Sequence, residues 1–174
     1  KLIKDNDLNN NDILTTYFCK KCGQFEIKPF AGQKISCRFC GGKDTQETTN
    51  IQNGVNEEQL NEIYNIMDVY CHPFTSGGQE IPIQEAKLTE LITLVTNYSC
   101  GEDSCEFNAG SLALDWAEYR EPDTMFIKSS TYPSSIAKQL NKVLEMKPEA
   151  KKELGKKARQ WVIDNFSIEV IGKY

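Results

Sequence analysis

The spacing of apolar and polar residues changes along the chain. In the N-terminal part, the pattern predicts a small β module. Residues 13–18 are β-branched and aromatic, which is typical of a strand. Residues 19–42 follow as a predicted ribbon of two short hairpins with a bend at residues 28–32. The polar stretch from Asp44 to Gly54 lacks apolar anchors and predicts a linker that leaves this module.

Helices and strands are predicted to alternate after the linker, which is typical of a parallel α/β sheet. Residues 56–59, Asn-Glu-Glu-Gln, form a helix-start box. A strand over 68–72, a Gly-containing loop over 75–80, a helix over 83–90 and a strand over 92–96 come next. The apolar face of the first helix is predicted from residues at helical spacing: Leu60, Ile63, Tyr64 and Met67.

The last third of the chain predicts two helices after a region of weak pattern. Residues 97–121 show no clear period, and residues 125–128 predict a short strand. Pro133 and Pro148 each open a predicted helix. Both apolar stripes are interpreted as core packing: Ile136, Leu140, Val143 and Leu144 on the first helix, and Leu154, Ala158, Trp161 and Val162 on the second.

Composition places the chain among ordinary globular proteins. Of its 174 residues, 39% are hydrophobic and 26% are charged. A chain of this length is expected to form one domain, with room for a small insert. No run of about 18 apolar residues is present, which excludes a membrane span, and no signal segment opens the chain.

Four of the seven cysteines form two pairs that are typical of a metal site. Cys19-x-x-Cys22 and Cys37-x-x-Cys40 are separated by 14 residues, and each pair is followed by glycine. Two such knuckles supply four thiolates for a tetrahedral zinc ion, and a closed four-thiolate site leaves no position for water. We therefore predict a structural zinc ribbon over residues 17–43. An odd number of cysteines fits a disulfide framework poorly, and we expect a cytoplasmic protein with free thiols at Cys100 and Cys105 and with Cys71 as a small apolar residue buried in its strand.

The predicted ribbon is basic although the whole chain carries a net charge of −5. Residues 17–43 contain six basic side chains and one acidic side chain, a local charge of +5. Since zinc with four thiolates carries a charge of −2, the basic residues can simply neutralise their own metal centre. The alternative is that they contact nucleic acid or an anionic protein partner.

Candidate ligand chemistry lies after the predicted strand over residues 68–72, because ligands bind beyond the carboxyl ends of parallel strands. Gly77 and Gly78 let the backbone approach a ligand closely, and the helix start near Pro82 favours a negative group. Glu85 can accept hydrogen bonds from the hydroxyls of a ribose or sugar. On spacing alone, an ordinary turn and a solvated glutamate explain the same residues.

A wider set of motifs resembles a known family. Residues 55–86 and 92–96 resemble the C-terminal domain of retaining nucleotide-sugar glycosyltransferases of family 4. In that family a helix, an Asp-Val strand ending in Pro, a Gly-containing loop and Pro-x-x-Glu-Ala follow in this order. The corresponding residues are 60–67, 68–73, 76–81 and 82–86, and residues 158–174, with Asn165-Phe166-Ser167, are similar to the family's closing helix. The match covers about two thirds of the chain.

The resemblance implies a Rossmann-like donor-binding domain, the C-terminal half of a GT-B fold, over residues 1–16 and 44–174, with the zinc ribbon inserted at 17–43. It implies that Glu85 binds the ribose of a nucleotide-sugar. The family's other loop glutamate falls at Gly77, so Glu80 is the candidate replacement if the loop is rebuilt. The amides of Gly78 and Gln79 would approach the sugar or its phosphate.

The same resemblance leaves gaps in this chain. An acceptor domain and the basic pair that neutralises the donor diphosphate in the family are not among the 174 residues. We therefore expect the chain, which opens with Lys1 rather than Met, to be part of a larger two-domain enzyme with an unknown acceptor. His72 and Glu102 are further candidates for donor contact, although a histidine satisfied by the backbone is the commoner case.

Two further hypotheses remain open from the sequence. The chain is a non-catalytic binding module on a degenerate glycosyltransferase scaffold, or it is an enzyme whose acceptor is nucleic acid and whose ribbon is a docking arm. Trp116 and Tyr119 are candidates for stacking on a sugar or base, with packing beneath the loop as the alternative.

Overall fold

The computed structural model describes residues 7–50 and 52–173, and it divides the chain into two compact units. The first unit is Lys1–Ile63 and the second is Tyr64–Tyr174. The predicted ribbon, 17–43, falls within the first unit, and residues 44–63 belong to that unit as well. Residues 1–6, which we expected to belong to the donor-binding domain, lie outside the described residues.

The first unit contains a four-stranded antiparallel sheet. Its strands are β1 (Leu14–Cys19), β2 (Phe25–Pro29), β3 (Lys34–Ile35) and β4 (Gln46–Thr48), in the order β2-β1-β4-β3. A short 3₁₀ turn, Asn10–Asp12, precedes β1. The predicted strand over residues 13–18 is therefore confirmed. The first predicted hairpin forms from β1 and β2, whereas β3 pairs with β4, which lies beyond the predicted ribbon of residues 19–42.

The predicted linker over residues 44–54 is wrong, because β4 lies within it. β4 pairs with β1 on one side and β3 on the other, so its polar residues are drawn into the middle of the sheet. Gln46 is fully buried there and donates a 3.3 Å hydrogen bond to the Glu26 carboxylate. Pairing with two distant strands thus outweighs the polar local composition.

Tyr17 on β1 holds the bend that follows β2. Its side chain is fully buried, and its hydroxyl donates to the carbonyl of Gly32 at 2.8 Å and accepts from the amide of Ala31 at 2.9 Å. The ammonium group of Lys28 lies 5.5 Å from the centre of its ring. One aromatic side chain therefore closes the hairpin to which the metal knuckles are attached.

Helix α1 (Glu57–Asn65) begins at the predicted box. The Asn56 side chain accepts from the Gln59 amide at 2.9 Å, and the Gln59 side chain accepts from the Asn56 amide at 3.2 Å. This reciprocal pairing satisfies two amide donors that a helix start leaves free. Gln59 also donates a 2.9 Å hydrogen bond to the carbonyl of Gly23, which attaches the helix start to the first knuckle.

The second unit is built on a small parallel sheet. Its strands β5 (Val69–His72), β6 (Ile92–Thr96) and β7 (Ser111–Leu114) lie in chain order, with Val69 opposite Ile92 and Leu94 opposite Leu112. Helix α2 (Ile81–Leu88) connects β5 to β6, and the short α3 (Gly101–Cys105) precedes β7. The structure is therefore mixed α/β with a parallel sheet, whereas its assignment to a Rossmann-like GT-B half stays a prediction.

An antiparallel hairpin follows the parallel strands and was not predicted. Its strands are β8 (Trp116–Arg120) and β9 (Ile127–Thr131). The predicted strand over residues 125–128 begins too early, and the weak pattern over 97–121 conceals α3, β7 and β8. The strands here are short, and half of the hairpin is exposed, so no apolar period marks them.

Helices α4 (Pro133–Glu145), α5 (Pro148–Phe166) and α6 (Ile168–Ile171) complete the second unit, and α4 and α5 begin at the predicted prolines. Val143 of α4 belongs to the core with Ile92, Leu94, Leu112 and Leu114. The prediction that the whole α4 stripe packs in the core is wrong, because Leu140 and Leu144 are 38% and 76% exposed. Both leucines line a cavity at the amino ends of β5 and β6 instead.

Lys87 is the exceptional core residue, because its side chain is fully buried. Its ammonium group donates to the carbonyls of Ala109 at 2.7 Å and Ser104 at 3.1 Å, and it lies 4.2 Å from the centre of the Trp161 ring. Burial lowers the pKa of Lys87 to about 8, an effect that the nearby Cys105 thiol partly opposes. The core therefore contains a cation held by dipoles and an aromatic face.

Stability of the second unit is expected to rise between pH 8 and pH 9. The unfolded chain keeps the lysine proton up to a pKa of 10.5, whereas the folded chain loses it near 8, so the unfolded state binds more protons in this window. The rise amounts to about 1 kcal/mol over that one pH unit. Denaturant unfolding of wild type and Lys87→Met at both pH values measures it, and an equal rise in the variant would assign it to other groups.

Within the part of the chain that the structure describes, no helix has both the length and the apolar composition that a membrane crossing requires.

Candidate functional site

The four paired cysteines come together at one end of the first unit's sheet. Their sulfur atoms all lie within 4.8 Å of one another, and the Cys19–Cys40 and Cys22–Cys37 pairs are each 3.8 Å apart. Zinc–sulfur bonds of about 2.3 Å in a tetrahedron place neighbouring sulfur atoms about 3.8 Å apart. The cluster therefore has the dimensions of a four-thiolate site for one metal ion such as zinc.

Two matching backbone turns position these sulfur atoms. The amide of Gly23 donates to the carbonyl of Cys19, and the amide of Gly41 donates to that of Cys37, both at 2.9 Å. Gly23 and Gly41 have φ angles of 70° and 67°, in the left-handed region where a Cβ is unfavourable. The glycine after each Cys-x-x-Cys pair is thus explained by the turn that it closes.

Thr45 extends the cluster by one polar side chain. Its hydroxyl oxygen lies 3.3 Å from the Cys19 sulfur and itself donates to the carbonyl of Gly42. Burial raises the pKa of the Cys19 thiol, but the hydrogen bonds around it, including those from backbone amides of the first knuckle, outweigh burial and lower the pKa to about 6. The backbone amide of Gln24 lowers the pKa of Cys22, but burial and the neighbouring thiols outweigh it and raise that pKa. The two thiols of the first knuckle thus differ in how readily they lose a proton.

Most basic side chains of the ribbon form ion pairs with two glutamates. Glu47 on β4 pairs with Lys20 at 2.7 Å and Lys34 at 3.2 Å, and these lysines lower the pKa of its carboxyl. Glu26 pairs with Lys28 and Arg38, each at 3.4 Å. Because Glu47 lies outside residues 17–43, the sequence count of +5 overstated the charge around the metal centre.

His72 and Tyr70 lie on one face of β5, two residues apart, and their side chains interact. Their rings stack with centres 5.6 Å apart, and the Tyr70 hydroxyl lies 3.0 Å from His72 Nδ1. Phe74 continues the row with its ring 5.5 Å from His72. The side chains at the carboxyl end of β5 are therefore arranged by strand alternation.

Glu80 reaches back from the loop to this row. Its Oε2 lies 3.2 Å from His72 Nε2, and the two side chains are 26% and 21% exposed. A Cβ placed at Gly77 would overlap Oε1 of Glu80 and lie 3.0 Å from its Cδ. The Glu80 carboxylate therefore occupies the space into which a side chain at position 77 would project.

Glu85 is the second carboxylate beside the row. It lies one turn further along α2 and accepts a 3.0 Å hydrogen bond from the Tyr64 hydroxyl. Burial and the Glu85 carboxylate raise the pKa of Tyr64. Burial, Glu85 and Glu80 together raise the pKa of Tyr70, so Tyr70 lies in the electrostatic reach of both carboxylates.

Neighbouring segments hold the loop that follows β5. The Ser99 hydroxyl donates to the carbonyl of Gly77 at 2.9 Å, and the Phe74 amide donates to the Thr96 hydroxyl at 3.2 Å. Ser129 on β9 is fully buried and donates from its hydroxyl to the carbonyls of Phe74 and Thr75. The unpredicted hairpin thus supports one side of the loop.

The remaining predicted site residues are more peripheral. Gly78, Gln79 and Glu102 are exposed, with Glu102 on the first turn of α3. Trp116 packs against Tyr98 in a tilted arrangement with ring centres 4.6 Å apart and donates to the Asn97 carbonyl, which agrees with the predicted packing role. The two predicted free thiols, Cys100 and Cys105, are unpaired, while Cys71, which we expected to be buried in its strand, is half-buried. Burial raises the pKa of all three thiols.

Sequence reasoning did not assign Tyr64 or Tyr70 to the site. Tyr64 was placed on an apolar helix face, and Tyr70 was one position in a strand. The signal for Tyr70 was its spacing of two from His72, which puts both side chains on the same face of β5. No local signal links Tyr64 to Glu85, because 21 residues separate them.

A cavity of about 710 Å³ lies at the opposite, amino ends of β5 and β6. Met67, Leu91, Leu140 and Leu144 are among the residues that line it. The two exposed leucines of the α4 stripe therefore face this cavity. The hydrogen-bonding carboxylates and the glycine loop lie instead at the carboxyl end of β5, so polar ligand chemistry favours that end.

In comparisons with known proteins, no family model, no curated protein and no solved structure matches this chain. The glycosyltransferase assignment therefore stays an expectation from the motifs.

Proposed function

We propose that the chain is the donor-binding part of a retaining glycosyltransferase, which moves a sugar from a nucleotide-sugar to an acceptor. The observation that carries this proposal is the pair of carboxylates, Glu80 and Glu85, beside the glycine loop at the carboxyl end of β5. An ionised carboxylate accepts hydrogen bonds and donates none. The two carboxylates together therefore suit a ligand that is rich in hydroxyl groups.

Glu85 is the residue to which we assign the ribose. Glu85 is half-buried on α2, and Tyr64 orients its carboxylate. Because the carboxylate is already held in place, accepting hydrogen bonds from the ribose hydroxyls costs little conformational entropy. The exposed amides of Gly78 and Gln79 precede the start of α2, where the helix dipole favours the phosphate groups. In this arrangement the sugar would lie near Glu80.

Zinc is the metal that we assign to the cysteine cluster, and its role there is structural. All four positions of a tetrahedral ion are taken by Cys19, Cys22, Cys37 and Cys40, so no position remains for a reacting water. The metal would join β1 to the segment between β3 and β4. The chemistry of sugar transfer therefore does not involve this ion.

A nucleic-acid or protein-binding ribbon is the second candidate function, and the ion pairs weigh against it. Four of the six basic side chains in residues 17–43 form ion pairs with Glu26 and Glu47, so that each carboxylate is shared by two cations and half of their charge is offset. Phosphate binding would have to break these pairs, which reduces the gain from each contact. The basic residues instead balance charge within their own unit.

Glu85→Ala is expected to abolish nucleotide-sugar binding, because it removes the acceptor for the ribose hydroxyls. Isothermal titration with UDP-, GDP- and ADP-sugars measures binding, starting with wild type to identify the nucleotide. We expect at least a 30-fold loss of affinity, which corresponds to the roughly 2 kcal/mol or more of hydrogen bonds to a charged group. The zinc content should stay unchanged.

Glu145→Ala is the matched control, since Glu145 is exposed at the end of α4. It removes one negative charge from the same unit without touching the loop. Wild-type affinity in Glu85→Ala would contradict the ribose assignment. Both variants are made in the intact protein, and failure of that wild-type protein to bind any of the three nucleotide-sugars would contradict the proposed function.

A further inference from the structure

Both ring nitrogens of His72 are engaged by protein groups. Nδ1 lies 3.0 Å from the Tyr70 hydroxyl, and Nε2 lies 3.2 Å from Oε2 of Glu80. An ionised carboxylate cannot donate, so the hydrogen bond to Glu80 requires a proton on Nε2. In the neutral ring Nδ1 then accepts the Tyr70 hydroxyl proton. The three side chains are therefore linked by two hydrogen bonds: Tyr70 donates to His72, and His72 donates to Glu80.

These hydrogen bonds orient Glu80 and leave its second oxygen available. Oε2 is held by His72, while Oε1 lies above Gly77, in the space that a Cβ there would fill. The Gly77 carbonyl is fixed in turn by the Ser99 hydroxyl at 2.9 Å. A carboxylate held at one oxygen and free at the other is a preorganised acceptor for a ligand hydroxyl.

We infer that Tyr70 and His72 are positioning residues that hold Glu80 over Gly77 as the acceptor for a hydroxyl of the transferred sugar. The inference rests on the proposed function and assigns the sugar, rather than the nucleotide, to Glu80. His72 therefore does not supply or remove a proton from the substrate. Gly77 lacks a side chain because the Glu80 carboxylate occupies its space.

The test compares two probes, a nucleotide-sugar and the corresponding nucleoside diphosphate, for each variant by isothermal titration. Glu80→Gln is expected to weaken binding of the nucleotide-sugar about 10- to 100-fold, the effect of losing a hydrogen bond to a charged group, and to leave the diphosphate unchanged. Glu85→Ala should weaken both probes. This contrast separates the sugar contact from the ribose contact.

Variants of the supporting residues give a graded series. His72→Phe keeps the ring in the stack but removes the donor to Glu80, so it should reproduce the Glu80→Gln loss. His72→Gln retains an amide donor and should recover part of the affinity. Gly77→Ala should displace the Glu80 carboxylate and show the same selective loss, while Glu145→Ala leaves both affinities unchanged. Circular dichroism verifies that each variant is folded.

A ligand-free measurement tests the hydrogen-bond chain directly. His72 is the single histidine of the sequence, so ¹⁵N-correlated spectra of the imidazole report it without overlap. With the ring neutral, we expect the Nε2–H tautomer alone in wild type and a mixture of tautomers in Glu80→Ala. A wild-type ring in the Nδ1–H form, or one unaffected by Glu80→Ala, would overturn the positioning role.

The binding results distinguish an error in the sugar assignment from an error in the proposed function. If both probes bind wild type and Glu85→Ala weakens both, but Glu80→Gln changes neither, the sugar assignment is wrong and the proposed function stands. If neither probe binds wild type, the proposed function and the sugar assignment are both wrong. Equal losses of the two probes in Glu80→Gln also contradict a contact with the sugar.

Discussion

Removal of the metal is expected to unfold the four-stranded sheet of the first unit. The sheet has few buried apolar side chains, and two of its fully or nearly fully buried residues are the ligands Cys19 and Cys37. Without the ion, the four thiolates 3.8–4.8 Å apart repel one another or must take up protons. Binding of structural zinc contributes on the order of 10 kcal/mol, more than a small domain has to spare.

Cys37→Ser and a strong chelator are two independent ways to test this. Zinc per chain is measured by elemental analysis, and hydrogen exchange follows the amides of β1 and β2. We expect both treatments to remove exchange protection from these strands while β6 in the second unit keeps its own. Cys71→Ser, which replaces a half-buried cysteine on β5, is the matched control and should retain the metal. Full protection of β1 in the metal-free chain would contradict a structural role.

Gly110→Ala is expected to destabilise the second unit by about 3 kcal/mol. Gly110 has a φ angle of 77°, which costs a residue with a Cβ about 1–2 kcal/mol. A Cβ there would also lie 2.6 Å from the backbone nitrogen of Ala158 and 2.7 Å from its Cα, and overpacking of this kind costs about 1–3 kcal/mol. The close approach of α5 to the start of β7 therefore depends on this glycine.

Thermal unfolding of the second unit measures the effect, and for a unit of this size a loss of roughly 10–15 °C in Tm corresponds to the expected energy. Gly78→Ala is the control for stability, because a Cβ at Gly78 meets no atom within 4 Å and its φ angle is not positive. A Tm of Gly110→Ala within about 2 °C of the control would show that α5 can shift away at little cost.

Elements with a strong local signal were predicted correctly. The segment over residues 92–96 is rich in β-branched residues, and the structure places β6 at the same residues, all of them buried. The two long helices begin at Pro133 and Pro148, where proline suits the first helical turn and excludes a continuing helix before it. The box at residues 56–59 likewise marks the start of α1.

Elements that depend on distant partners were missed. β4 is polar and becomes a strand because β1 and β3 flank it, and β7 is recognised by its place beside β6. The β8–β9 hairpin is exposed on one face and has no apolar alternation. For β4 and β7 the pairing hydrogen bonds come from strands that are distant in sequence, so a short window along the chain does not contain both partners, whereas the local β8–β9 pairing was missed because no apolar period marks it.

The sequence by itself determined which four cysteines form the cluster that could hold a metal ion, because a knuckle is a local turn whose spacing and glycine are set within five residues. It also determined which loop carries the glycines and glutamates. Only the tertiary structure decided that Glu80 lies over Gly77 and is held by His72 and Tyr70, and that Tyr64 orients Glu85. These contacts depend on how β5, α1 and α2 pack, and packing joins side chains that no sequence period connects.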